Sequence, residues 1–439
     1  MVPAEQVPEG SRFKGYSNFT VQELMIKVET TLYRVERWRT PDGREVTGRV
    51  PGPAAAGHVG DHFGPTLRCF VLYQYYHAQV TEPLIREQLR EWGVRMSAGQ
   101  LHRLITAGKE TFHAEKDAIL KVGLRVSGHV HVDDTGARHG GRNGVTTHIG
   151  NEWFAWFQTT ESKSRINFLG LLRTGHTDYV VTPDAIAYMK AQDLPVALRD
   201  QLESASVQTF ADLSQWRAAL TKAGVTEERH VRIATEGALL GAVLHHGVSP
   251  DLAVVSDDAG QFNVLRHGLC WVHAERLLAK LVGFNADQRE DLGKVRTTVW
   301  DLYRDLTAYK TAPSEEARSS LEARFDALCR TRTRFASLNN ALKRMQRNRR
   351  ELLLVLERPD VPLHNNLSEG DIREYVKRRK VSGGTRDEDG RRGRDTFASL
   401  KKTCRKQDVS FWNFLNDRIT GADTIPFLPT LIEARAQSP

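Results

Sequence analysis

Only four cysteines occur in 439 residues, and Cys69, Cys270, Cys329 and Cys404 stand singly, with no pairwise metal-ligand spacing between them. That indicates neither a disulfide framework nor a zinc ribbon, and with no cysteine before Cys69 a cysteine-held metal near the N-terminus is excluded. No apolar run approaches the roughly 20 residues of a membrane span. The first residues carry acids and prolines where a secretory signal needs an apolar stretch, so a cytosolic protein is expected. No heptad seam is long enough to mark a coiled-coil interface. Acids are missing altogether from residues 330–350, which hold eight Lys/Arg.

What is present divides unevenly. The length suggests two to four folding units, and 40% hydrophobic residues suffice to build their cores. Residues 370–406 hold thirteen Lys/Arg against six acids, so the net charge of +8 lies in two segments and the rest of the chain is net negative. One basic run alone would read as a solvated helix face. Two runs flanking a candidate catalytic acid, Glu369, point instead to a polyanion held across that part of the surface.

Residues 1–20 carry little pattern and read as an arm. A small β-hairpin is expected over residues 30–50, with Tyr33 and Val35 on one face, Pro41-Asp42-Gly43 as the turn, and packing to hold it; residues 50–65 read as a linker. Residues 68–80 form an apolar, aromatic helix. It leads into a helix-turn-helix-like pair: Thr81 and Pro83 start one helix, Trp92-Gly93-Val94 breaks it, and Ser97 with Gln100 forms a capping box for the second. Gln100, His102 and Arg103 would be exposed on the reading helix, with Lys109 near its end. Helical hairpins of this shape also serve as plain scaffolding.

Val126, Val130 and Val132 have strand-like spacing and lead to Asp133-Asp134-Thr135. The apolar runs 145–149 and 153–157, joined by Gly150-Asn151, predict an antiparallel meander with a two-residue positive-φ turn at Gly150-Asn151, placing Asp133 mid-sheet on the first strand. A buried acid is costly unless it is paired or holds a cation. Two further acids suit the same site: Asp257, ending the apolar run 252–256, and Glu369, in the first turns of a helix opened by Asn365-Asn366. Between them, Leu292, Val295, Val299 and Leu302, then Leu321, Phe325 and Leu328, then Leu338, Leu342 and Met345 mark the buried stripes of a helical insertion. Helices are also expected at residues 165–172, 183–192, 210–223, 396–406 and 410–418. Gly383, Gly384, Gly390 and Gly393 suggest an Arg-rich loop suited to phosphates, and the tail after Gly421 reads as loose. Cys270-x-x-His273 supplies two ligands only, which make no zinc site alone; a buried Cys and a hydrogen-bonding His are the better reading.

The combination of Asp133-Asp134-Thr135, Ser256-Asp257 followed by Cys270-Trp271-Val272-His273, Asn365-Asn366-x-x-Glu369, Arg379-Lys380 and Ser399-Leu400-x-x-Thr403 resembles the insertion-sequence sixty-six family of bacterial transposases, from about residue 63 to 415. The sequence departs from that family's pattern in carrying Gly370 where Arg usually follows the Glu, His364 where Asp usually precedes the Asn pair, and Asp134 where Glu is usual. The resemblance implies an α/β fold: a ribonuclease-H-like mixed-sheet catalytic core interrupted by a helical insertion, behind an N-terminal β-hairpin and a helical, helix-turn-helix-like DNA-binding region. The corresponding divisions are residues 1–62, 63–122, 123–273, 274–361, 362–420 and 421–439. Asp133, Asp257 and Glu369 match the catalytic, metal-binding Asp-Asp-Glu set, an oxygen-only site suited to two Mg²⁺ or Mn²⁺ ions. Asp134, Cys270, His273, Asn365 and Asn366 would support them, and Arg373, Lys377, Arg378, Arg379 and Lys380 would join Gln100, His102 and Arg103 in holding DNA. The implied partners are transposon-end inverted repeats and target DNA, a homo-oligomer on that DNA, and companion proteins of the element, in the nucleoid region of a bacterial cytosol. Two other readings stay open: a metal-dependent nuclease without strand transfer, and an inactive, domesticated DNA-binding protein.

Overall fold

The computed structural model describes residues 4–48, 62–204 and 206–437. The predicted linker lies mostly outside them. Residues 12–36 have no regular secondary structure and expose their side chains. The N-terminal hairpin forms from β1 (Arg37–Arg39) and β2 (Glu45–Thr47), with Gly43 at φ +83° in the turn. All six strand residues are exposed, and Tyr33 and Val35 precede the ladder. The hairpin is therefore held by its turn and by the Arg37–Glu45 pair at 2.8 Å, not by the packing expected of it.

The central sheet grows from β3 (His129–His139), β4 (Arg142–Gly150) and β5 (Ala155–Thr160), an antiparallel meander as predicted. Its turns differ from the prediction. The two-residue positive-φ turn is Gly140-Gly141, at φ +53° and +77°, joining β3 to β4. Gly150 instead ends β4 ahead of a four-residue loop, and glycine is required there because a Cβ would lie 2.4 Å from the Phe154 carbonyl oxygen. A small pair, β6 (Tyr179–Val181) and β7 (Gln208–Phe210), stands apart. Then β8 (Ala253–Ser256) and β9 (Arg266–Leu269) join the main sheet, both parallel to β3, giving the order β5-β4-β3-β8-β9. The mixed α/β architecture expected from the sequence is present.

Helix Glu388–Lys406 covers the open edge of β5 by an unusual match of periodicities. Its side chains at every fourth position meet alternate strand amides: Asp395 accepts from the Thr159 N–H at 2.7 Å, Ser399 from Phe157 at 2.9 Å, and Thr403 from Ala155 at 3.2 Å. Buried edge amides thus find partners where the described residues add no sixth strand. This helix begins eight residues earlier than predicted and includes Gly390 and Gly393, because Asp387 caps it through the Gly390 amide; the arginine-rich loop shrinks to the short connection before Asp387. The predicted loose tail is also ordered: helix Leu428–Gln437 packs on helix Glu110–Val126, with Leu428 and Ile432 fully buried.

Of the expected helix at residues 68–80, Pro65–Leu72 is α-helical and Tyr73–His77 continues as a π-helical turn. The pair Glu82–Glu91 and Ala98–Thr106 follows, and the Ser97–Gln100 capping box forms in both directions, at 2.9 and 3.1 Å. Ile85, Leu89, Leu101 and Ile105 bury their i,i+4 stripes in a small core. The helical insertion has a core of its own, and every residue of its three predicted stripes is buried in it.

Candidate active site

Register brings the first two acids together. His131 pairs with Val255 across the parallel β3–β8 ladder, and two steps further along the same register Asp257 is level with Asp133. Asp133 lies within β3, which runs on to His139, whereas Asp257 follows directly after the end of β8. The third acid arrives on helix Asn366–Ser382, with Glu369 in its first turn. Asn365, fully buried before that turn, fixes where the helix lands: its Nδ2 donates to the Val132 carbonyl at 2.8 Å and its Oδ1 faces His131 Nδ1 at 3.0 Å. Ser368 adds a 2.7 Å bond to His148 on β4, and the Cys270 thiol accepts from the Asn365 amide at 3.2 Å. Asn365→Ala should leave two buried polar groups orphaned at roughly 1–3 kcal/mol each. Denaturant unfolding should show that loss of stability, and any DNA-cleaving activity should fall with it.

The electrostatics identify a crowded anionic site. Burial, together with the neighbouring carboxylates of Asp257, Asp134 and Glu369, pushes the Asp133 carboxyl up to about 7, against one opposing hydrogen bond from the Asp134 amide. Asp134 is answered by Lys163 Nζ at 2.8 Å and Gln261 Nε2 at 2.7 Å. Glu369 is gripped by both guanidinium nitrogens of Arg276, at 3.1 and 3.4 Å, with His273 Nε2 at 3.6 Å. Asp133, Asp257 and Glu369 do not bring one carboxylate oxygen each within 4.8 Å of one another, so they do not form a single-ion cage. All donors are oxygens, which fits hard divalent cations. Beside Asp257 a cleft of about 460 Å³ opens toward the insertion, lined by Leu277, Leu281, Ala341, Arg344 and Asn348.

A sequence model described as "Transposase IS66 family" matches residues 254–392, a span that holds Asp257 and Glu369. The uncharacterized protein y4jO of Sinorhizobium fredii (strain NBRC 101917 / NGR234) is 42% identical over 322 residues, which cover 72% of this chain and 100% of that relative. This chain belongs to the IS66 family of transposases.

In this IS66-family chain the remaining predicted residues fall into two groups. Arg373, Lys377 and Lys380 are exposed, and helical spacing sets them along the face that carries Glu369. Arg379 is half-buried, with Nη1 3.3 Å from the Thr135 hydroxyl. Arg378 is in the interior: its guanidinium lies 3.9 Å over the Tyr75 ring and bonds the Val80 carbonyl, so it packs the segment ahead of the helical pair against the glutamate helix and is not offered to a ligand. In the helical pair Arg103 is exposed, but the Gln100 side-chain oxygen caps its own helix and His102 lies between Glu82 and Asp387. Lys109 is buried, donating to the Ala107 carbonyl, and sits beyond the second helix. Asn366 is exposed in the first helical position. Gly370 is exposed, with open space where a side chain would stand. Sequence reasoning missed Arg276; the one available signal was its place three residues after His273 on the same helical face.

Proposed function

We propose that this IS66-family protein is an Asp-Asp-Glu transposase with a ribonuclease-H-like core, cleaving DNA strands at transposon ends and transferring the freed 3′-hydroxyl ends to target DNA. The observation that carries this is the convergence of Asp133, Asp257 and Glu369 on one edge of the central sheet, through strand register and the Asn365 anchor. The strand order, three antiparallel and two parallel, supports the fold assignment. Two Mg²⁺ or Mn²⁺ ions held by the three acids would supply activation of the attacking oxygen and neutralisation of the leaving 3′-oxygen.

The chain's own groups prepare the site. Asn365 sets the glutamate helix against β3, Lys163 and Gln261 hold Asp134, and Arg276 supplies positive charge to Glu369 and can pass its fork to a phosphate when DNA enters. Arg373, Lys377 and Lys380 line the approach. Replacing these three by Gln should weaken DNA binding evenly across sequences and flatten the plot of log affinity against log salt by about 2.7, near 0.9 per lost contact. Titrations of a duplex at several salt concentrations measure this.

The deciding experiment incubates the protein with a labelled duplex carrying its element's end, a target plasmid and Mg²⁺ or Mn²⁺. Strand cleavage followed by joining is expected. Cleavage without joining would favour a nuclease, and binding without cleavage in either metal, with or without companion proteins, would favour a domesticated binding protein.

A further inference from the structure

A second group of ligating side chains lies outside the acidic site. Helix Arg165–Leu172 ends in a tight connection in which Thr174 and Gly175 both take left-handed backbone conformations, at φ +55° and +91°. For a β-branched residue such as Thr174 that conformation is costly and persists only where the surroundings impose it. Its effect is to swing His176 and Asp178 over the C-terminal end of helix Glu228–His245, where His246 is the capping residue. The His176 and His246 rings stack with centroids 3.5 Å apart, and His246 Nε2 lies 2.8 and 2.9 Å from the two Asp178 carboxylate oxygens. One ligand atom from each of the three residues lies within 4.8 Å of the others, the one such group among the described residues.

We propose that His176, Asp178 and His246 bind one transition-metal ion of the Zn²⁺ class, separate from any ions of the acidic site. The donor set carries the assignment: two imidazoles and one carboxylate suit Zn²⁺, Co²⁺ or Ni²⁺, whereas Mg²⁺ takes oxygen ligands. The local geometry leaves these donors available. Among the described residues the His176 ring makes no hydrogen bond, and Arg173, the nearest cation in sequence, bonds the Asp178 main-chain carbonyl and lies over the Tyr179 ring, so it does not compete for the carboxylate. The stacked rings are nearly parallel, so binding turns His176 about its side-chain bonds until its lone pair converges with that of His246. All three residues are half-buried at the surface, which leaves an entry path and a fourth position for water. The ion would clip the 173–178 connection to helix Glu228–His245. That is a purpose for part of the elaboration between Asp133 and Asp257, because the same connection follows the helix whose Arg165 bonds the Gly260 carbonyl, three residues beyond Asp257.

The test uses the untagged full chain, stripped with chelator and dialysed against micromolar Zn²⁺ in excess Mg²⁺. Metal analysis should find one Zn²⁺ per chain, and Co²⁺ should give the visible absorption of a low-symmetry, four-coordinate site. His176→Ala and Asp178→Ala should each weaken Zn²⁺ binding by more than the roughly 10–100-fold that loss of an outer-shell partner costs. A variant with Asp133, Asp257 and Glu369 all changed to Ala should keep its Zn²⁺. Because the His176 ring contributes only its stack on His246, metal-free His176→Ala should keep the wild-type circular dichroism and lose no more than that stack in melting temperature, and Zn²⁺ should raise the melting temperature of wild type and not of the variant. No Zn²⁺ retained by wild type, equal retention by His176→Ala and Asp178→Ala, or loss of the ion from the triple-acid variant would each overturn the proposal. None of these readouts depends on DNA cleavage, so the site can fail or stand independently of the transposase assignment.

Discussion

Asp133→Ala, Asp257→Ala and Glu369→Ala should each abolish cleavage and joining while leaving DNA affinity within a few-fold of wild type. The loss should exceed the roughly 10²–10³-fold that follows removal of one electrostatic contact to a transition state, because each acid is assigned both a metal ligand's position and a share of its charge. Stability tells chemistry from misfolding. Burial, and after it the neighbouring carboxylates, makes charging Asp133 costly, so deleting the Asp133 charge should leave the melting temperature unchanged or raised. Asp133→Asn is the cleanest form, keeping shape and removing charge. A folded Asp133→Asn protein that still cleaves would remove Asp133 from the mechanism.

The second large effect is on folding. Asp371, two residues past Glu369 and buried, meets His148 at 3.2 Å, Lys402 at 3.3 Å and Lys406 at 3.0 Å. Burial alone would raise its proton affinity; the adjoining His148, and after it Lys406 and Lys402, outweigh that and hold the Asp371 carboxyl well below the usual carboxylate range. Asp371→Ala should therefore cost about 3–5 kcal/mol at neutral pH, toward the lower end because Lys402 keeps Glu374 at 2.6 Å. An acid whose folded proton affinity is depressed contributes its stability above its unfolded value, near 3.9, and loses it as pH falls further. The gap between wild type and Asp371→Ala in denaturant melts should be constant from pH 8 to 5 and close only below about pH 4. Pairing Asp371→Leu with Lys406→Met should recover part of the loss, since a matched apolar pair leaves less charge unanswered.

Much of this was legible in residue pattern because period and burial coincide. The insertion stripes at Leu292–Leu302 and the Ser97–Gln100 cap are local, and each was read from a few neighbouring side chains. What could not be read is what distant residues do to one another. Arg378 looked like its neighbours in a basic run, and only the fold lays it over Tyr75. Lys401, Lys402 and Lys406 counted toward a basic surface, yet the first two are buried and the third half-buried against Asp371 and Glu374. Gly150-Asn151 has the residue types of a tight turn, yet Gly150 is there for the close approach of the Phe154 carbonyl, and the positive-φ pair falls at Gly140-Gly141.

The helix that closes the β5 edge has a consequence in time. β5 leaves the ribosome long before Asp395, Ser399 and Thr403 exist to take its amides, an interval of roughly 10–50 s at ordinary rates of synthesis. Throughout that interval the nascent chain presents a bare strand edge, carrying Trp156 and Phe157, to every other copy being made. Rapid overproduction should therefore drive it into aggregates through this strand, and slower synthesis or a holding chaperone should rescue it. A premature stop before residue 395 would make the exposure permanent, so shortened products of this gene should be insoluble as well as incomplete.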